Sequence, residues 1–147
     1  MTQIKHTIIG LLAVAGSAFT YLVGEWDTAM QTLIVFMGVD FICGLIVAGV
    51  FHNSGKTEMG ALDSRASFKG LCRKVVIILS VITASYLDRI LGDAGFTRTA
   101  VIMFFIANEG LSIVENLALM GVPFPDKVKT ALEQLKAEND DHTTKIE

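Results

Sequence analysis

Residues 97–136 read TRTAVIMFFIANEGLSIVENLALMGVPFPDKVKTALEQLK. The stretch opens with an uninterrupted apolar run, Ala100 to Ala107, and then sets Asn108, Glu109, Glu115 and Asn116 where a lipid-facing helix carries no charge. On a helical wheel Asn108, Glu109, Ser112, Glu115 and Asn116 fall within about a third of the circumference. Ile106, Ala107, Gly110, Ile113, Val114, Leu117 and Ala118 cover the other side. A simple membrane anchor needs no such carboxylates, and a soluble enzyme would not surround them with so much hydrocarbon. The spacing therefore predicts a helix whose second half lines an aqueous path, carries a polar seam within an oligomer, or lies in the membrane interface.

Downstream, Gly121, Pro123 and Pro125 end this helix, because proline cannot continue the hydrogen-bond ladder. Val128, Ala131, Leu132 and Leu135 then recur at i, i+3, i+4 and i+7, with Lys127, Lys129, Glu133 and Lys136 outside the stripe. This predicts a cytoplasmic amphipathic helix over 125–138, lying on the membrane face or pairing with a partner. Residues 139–147, NDDHTTKIE, read as a disordered charged tail.

Upstream, three further hydrophobic runs make residues 1–124 a transmembrane domain. Thr7 to Gly24 carries no charge and is just long enough to cross the hydrocarbon, which takes about 20 residues. Ala13-Val14-Ala15 resembles a signal-peptide cleavage site, but the apolar run continues past it. Gly10, Ala13, Ser17, Thr20 and Gly24 share one narrow ridge of the kind that lets membrane helices approach closely. Glu25-Trp26-Asp27 is a polar connector, and Trp26 suits the interface.

The second run, Thr28 to Phe51, places Asp40 near its middle with Gly44 and Ala48 on the same face. A carboxylate at that depth should meet protein or water rather than lipid. It is either a polar contact or pore-lining group, or a protonated, hydrogen-bonded structural acid. In the third run, Val75 to Leu91, Ser80, Ala84 and Asp88 repeat the same device. Asp88 and the adjacent Arg89 point about 100° apart and are poor partners for each other.

Between these two runs, residues 52–74 hold Lys56, Arg65, Lys69, Arg73 and Lys74 against Glu58 and Asp63. An excess of basic residues marks a cytoplasmic loop. Residues 67–74, SFKGLCRK, read as a short surface helix with Lys69, Arg73 and Lys74 as a basic cluster at the lipid headgroups. The expected fold is thus all-α and multi-pass, with about four hydrophobic helices, both termini inside, and a C-terminal amphipathic helix.

Composition agrees. Of 147 residues 52% are hydrophobic, and the mean hydropathy is +0.54. A net charge of -3 gives no reason to expect a nucleic-acid partner. Cys43 and Cys72 have no metal-ligand spacing and read as free thiols. No phosphate-binding loop, dinucleotide fingerprint or His/Cys cluster is present, so no cofactor is expected. Glu109 and Glu115, six residues apart, do not form a carboxylate pair, and no nucleophile has a base near it; an enzyme is not the expectation.

The segments DFICG (40–44), SFKGLCRK, LDRILG (87–92) and above all FFIANEGLSIVENLALMGVPFPDKVKTALEQLK resemble the holin family that joins phage lysis holins and toxin-secretion holins of Gram-positive bacteria, the phage holin family 4 type. The resemblance covers roughly residues 28–138, and Cys43 stands where a threonine is often found. It implies a small multi-pass protein of the bacterial (host) cytoplasmic membrane whose partners are copies of itself and the lipid bilayer. It also implies a lesion that depolarises the membrane and releases an endolysin for lysis, or a large toxin in secretion. A small ion channel or transporter, and a non-conducting antiholin-type regulator, are the competing readings.

Overall fold

The computed structural model describes residues 2–52 and 63–144, and all the regular structure in them is helical. Helix α1 spans Thr2–Val23, α2 Thr28–Ile46, α3 Ser64–Leu91, α4 Phe96–Leu119 and α5 Asp126–Thr144. Helix α2 runs on into a π-helical turn, Val47–Phe51. Four segments, α1, α2 with its π-helical turn, α3 and α4, are long and apolar enough to cross a membrane. The part of the basic connector over 53–62, with Lys56 and Glu58, lies outside the described residues, as do 145–147 and the side chain of Leu135.

Two boundaries differ from the sequence expectation. The short surface helix and the third hydrophobic run are one continuous helix, because nothing between Ser67 and Val75 breaks the ladder. Helix α5 continues to Thr144, past the boundary expected at 138.

Helix α4 is the centre of the bundle. Its apolar positions Ile102 and Ile106 meet Met30, Leu33 and Met37 of α2 and Ile77 and Val81 of α3 in one core cluster. The apolar side of its second half is accordingly buried at Ile106, Ala107, Gly110 and Val114, since α2, α3 and α5 all pack on this helix. Helix α5 folds back along α4 and seats Leu132 at Gly110 beside Phe36.

Helix α1 stands apart, with 6% of its apolar window buried. Gly10, Ala13 and Ser17 of the small-residue ridge are exposed, and a Cβ on Gly10 would meet nothing within 4 Å. Gly24, at the foot of that ridge, has a different task. Its φ of +90° turns the chain out of the helix, and a Cβ there would stand 2.9 Å from Arg98 Nε. Only glycine satisfies both demands.

Candidate functional site

The bundle carries two polar layers. The first closes the end where the α1–α2 connector meets the α3–α4 turn. Asp27 caps α2, its Oδ1 accepting from Met30 N at 2.8 Å. Asp88 caps α4 from the neighbouring helix, accepting from Thr97 N at 2.9 Å and Arg98 N at 2.8 Å. These are backbone donors that a helix start leaves unsatisfied. Arg98 is buried and reaches back to the connector, donating from Nε to Val23 O at 2.7 Å and from Nη1 to Asp27 Oδ2 at 2.7 Å. Its Nη2 donates to Glu25 O, and Ser85 adds a second donor to Val23 O at 2.7 Å. The guanidinium holds the Asp27 carboxyl below its ordinary range, against the upward push of partial burial.

The second layer lies inside the helices. Lys74 Nζ donates to Asp40 Oδ2 at 2.8 Å and, from the same ammonium, to Glu109 Oε2. Asn116 Nδ2 donates to Asp40 Oδ1 at 3.1 Å. Helices α2, α3 and α4 thus each contribute a charge, and two carboxylates share one cation. All three charged side chains are largely buried, at 12% exposure for Lys74 and Asp40 and 8% for Glu109. Gly44, one turn from Asp40, lies beside Asn116: a Cβ there would stand 4.0 Å from Asn116 Nδ2, an ordinary contact.

Asp27 to Asp40 along α2, and Asp88 to Lys74 along α3, are each about 20 Å of helix at 1.5 Å per residue. The hydrocarbon of a bilayer is about 30 Å thick. The Lys74 layer therefore falls within that thickness when measured from the connector end. Charges at such depth survive by pairing with one another. Among the described residues, no buried side-chain nitrogen or oxygen lacks a partner.

Around the second layer is a cleft of about 500 Å³. Asn108, Ser112 and Glu115 line it with Asp63, Arg73 and Lys136. The sequence-expected polar sector is thus divided: Glu109 and Asn116 turn inward, Asn108 and Ser112 line the cleft, and Glu115 is exposed at its edge. Asp88 does not join this face, because it is occupied with the start of α4. Ser80 bonds its own helix at Val76 O, and Ala84 is buried against the core. Of the residues assigned to the headgroups, Lys69 and Arg73 are exposed, whereas Lys74 turns into the bundle. Arg89 lies over the rings of Tyr21 and Tyr86 at 4.9 and 4.7 Å, joining α1 to α3 rather than pairing with Asp88.

Sequence reasoning misplaced Lys74, which it set at the headgroups, and missed Arg98. A signal was present for each. Lys74 begins the buried stripe continued by Ile77, Val81 and Asp88, and Arg98 begins the one continued by Ile102, Ile106 and Glu109.

The chain matches the model of the bacteriophage holin family over residues 17–137. A probable holin of Bacillus phage phi105 is 37% identical over 87% of this chain and 88% of its own length. An uncharacterized protein of Listeria innocua is 37% identical over 93% of this chain and 91% of its own. A 14.9 kDa protein encoded in the nagH 3' region of Clostridium perfringens is 37% identical over 92% and 94%. No solved structure matches. The chain belongs to the bacteriophage holin family, and its four apolar spans make it a multi-pass membrane protein.

Proposed function

We propose that this family member acts as a holin in the bacterial (host) cytoplasmic membrane. It accumulates there with both termini inside, associates with its own copies, and then opens a lesion that depolarises the membrane and lets an endolysin, or a large toxin, pass. The observation that carries this reading is the Lys74 layer: two carboxylates and one ammonium closed within the thickness of a membrane bundle. In a single chain these groups satisfy one another, so the monomer can rest in lipid without conducting. In an assembly the same groups, with Asn108, Ser112 and Glu115, would form a ready polar wall once the helices part. The exposed ridge of Gly10, Ala13 and Ser17 on α1 supports contact between copies. No step in this action makes or breaks a covalent bond, so no catalytic residue or cofactor is invoked.

Induced expression in bacteria tests the reading. Collapse of membrane potential and growth arrest are expected, with lysis when an endolysin is co-expressed. A potential sustained at high expression contradicts it. The pairing of the buried polar side chains among the described residues also favours a second reading, a non-conducting antiholin-type regulator. That protein would leave the potential intact and delay lysis by a conducting relative.

A further inference from the structure

Helix α5 is hydrophilic, yet it does not stand free in solvent. Among its described side chains only Leu132 is buried, and it is seated where α4 has no side chain. A Cβ built on Gly110 would come within 2.8 Å of Leu132 Cδ2 and 3.3 Å of the Phe36 ring. Four residues on, half-buried Lys136 lines the polar cleft beside Glu115. The same lysine lines the smaller cavity of about 410 Å³ between α4 and α5, with Leu111, Val114 and Glu115. Helix α5 is thus seated by an apolar peg in a glycine notch and brings Lys136 to the wall of the cleft. The ion pair α5 makes among the described residues is internal, Lys129 to Glu133 at 3.9 Å, and both side chains are more than half exposed. With the rest of its described side chains exposed or half-buried, α5 gives up little apolar burial when that seat opens.

We propose that α5 is a detachable strap which closes the Asp40–Lys74–Glu109 cleft, with Leu132 in the Gly110 notch as its clasp. This rests on the holin reading only for its consequence: strap release is the step that frees the polar wall for assembly. Truncating Leu132 weakens the closed form from the strap side and leaves the four spans untouched. Filling the notch, as in Gly110→Ala, weakens it from the other side.

The test uses the full chain in native membranes, with Cys43 and Cys72 replaced by alanine and Ser112→Cys as a reporter in the cleft. The probe is a membrane-impermeant maleimide, applied to inside-out vesicles. Leu132→Ala is expected to raise the labelling rate of the reporter by about tenfold or more, equivalent to about 1.4 kcal/mol in the opening equilibrium. Gly110→Ala should raise it in the same direction. Equal labelling in the parent and in both variants overturns the strap. Unchanged labelling with Leu132→Ala alone also overturns it, since Leu132 is the clasp. The readout is independent of lysis. Faster labelling with unaltered onset of depolarisation keeps the strap and counts against its part in the holin action. No depolarisation by any variant, the parent included, counts against the holin reading itself.

Discussion

Lys74 Nζ lies 2.8 Å from Asp40 Oδ2 across the α2–α3 contact, and the same ammonium donates to Glu109 of α4. One cation thus ties three membrane-length helices together within the bundle. Removing either sign from such a layer has unequal consequences, and the first two predictions follow from that inequality.

Lys74→Met leaves Asp40 and Glu109 facing each other without a cation. Breaking a buried pair by removing one partner costs about 3–5 kcal/mol. Unfolding in detergent micelles, followed by loss of helical circular dichroism, should shift accordingly. The triple variant Lys74→Met, Asp40→Asn, Glu109→Gln should recover most of the loss, because it leaves no charge in the layer.

Glu109→Gln removes the second carboxylate and leaves Lys74 with Asp40 alone, a balanced pair. Stability in micelles is expected to stay within about 1 kcal/mol of the parent, or to rise. Glu115→Gln, at an exposed position, should change stability by less than about 0.5 kcal/mol. In cells, Glu109→Gln should alter the onset of depolarisation more than Glu115→Gln does. Equal onset for the two would remove Glu109 from the polar wall.

Arg98→Met cuts the tie from α4 to Val23 O, Glu25 O and Asp27. A loss of about 3 kcal/mol is expected, since Asp27 is left without its cation and Val23 O keeps only Ser85. Proteolysis at the α1–α2 connector should quicken in the variant, while the α2–α3–α4 core remains resistant.

The same tie gives a pH dependence. Asp27 lies in the connector, outside the spans, and Arg98 holds its carboxyl below the ordinary 3.8. A carboxyl lowered on folding stabilises the fold above its unfolded value, and that contribution is lost as pH falls through the folded one. The gap in stability between the parent and Asp27→Asn should be constant near neutrality and close below about pH 4. Partial exposure screens the pair, so the gap is modest. A gap that widens on acidification contradicts this assignment.

The four spans and the amphipathic α5 were legible because hydropathy and the 3.6 period depend on the chain alone. Asp40, Glu109 and Asn116 were legible as polar groups at lipid depth for the same reason. Their partner was not. Lys74 sits near Lys69 and Arg73, and although the stripe of Ile77, Val81 and Asp88 marks its face, a wheel for one helix cannot say which groups of other helices that face meets. That depends on α2 and α4, which fix where an ammonium can reach two carboxylates. Arg98 was not singled out because the start of α4 is set by Asp88, ten residues upstream and on another helix. Helix α5 was expected on a membrane face or against a partner, because its stripe is that of any amphipathic helix. The glycine that receives Leu132 is visible in the sequence, but its pairing with that leucine is a tertiary fact.

The central claim is that a closed, self-satisfied polar layer becomes the wall of a lesion in an assembly of copies. Size-graded release from cells expressing this chain alone tests it most directly, with a small dye and a cytoplasmic enzyme of protein size followed together with membrane potential. The expected result is a lag, then collapse of potential with release of both solutes into the periplasmic or wall space. Retained potential at high expression, or loss of small ions with the enzyme held inside throughout, would contradict it.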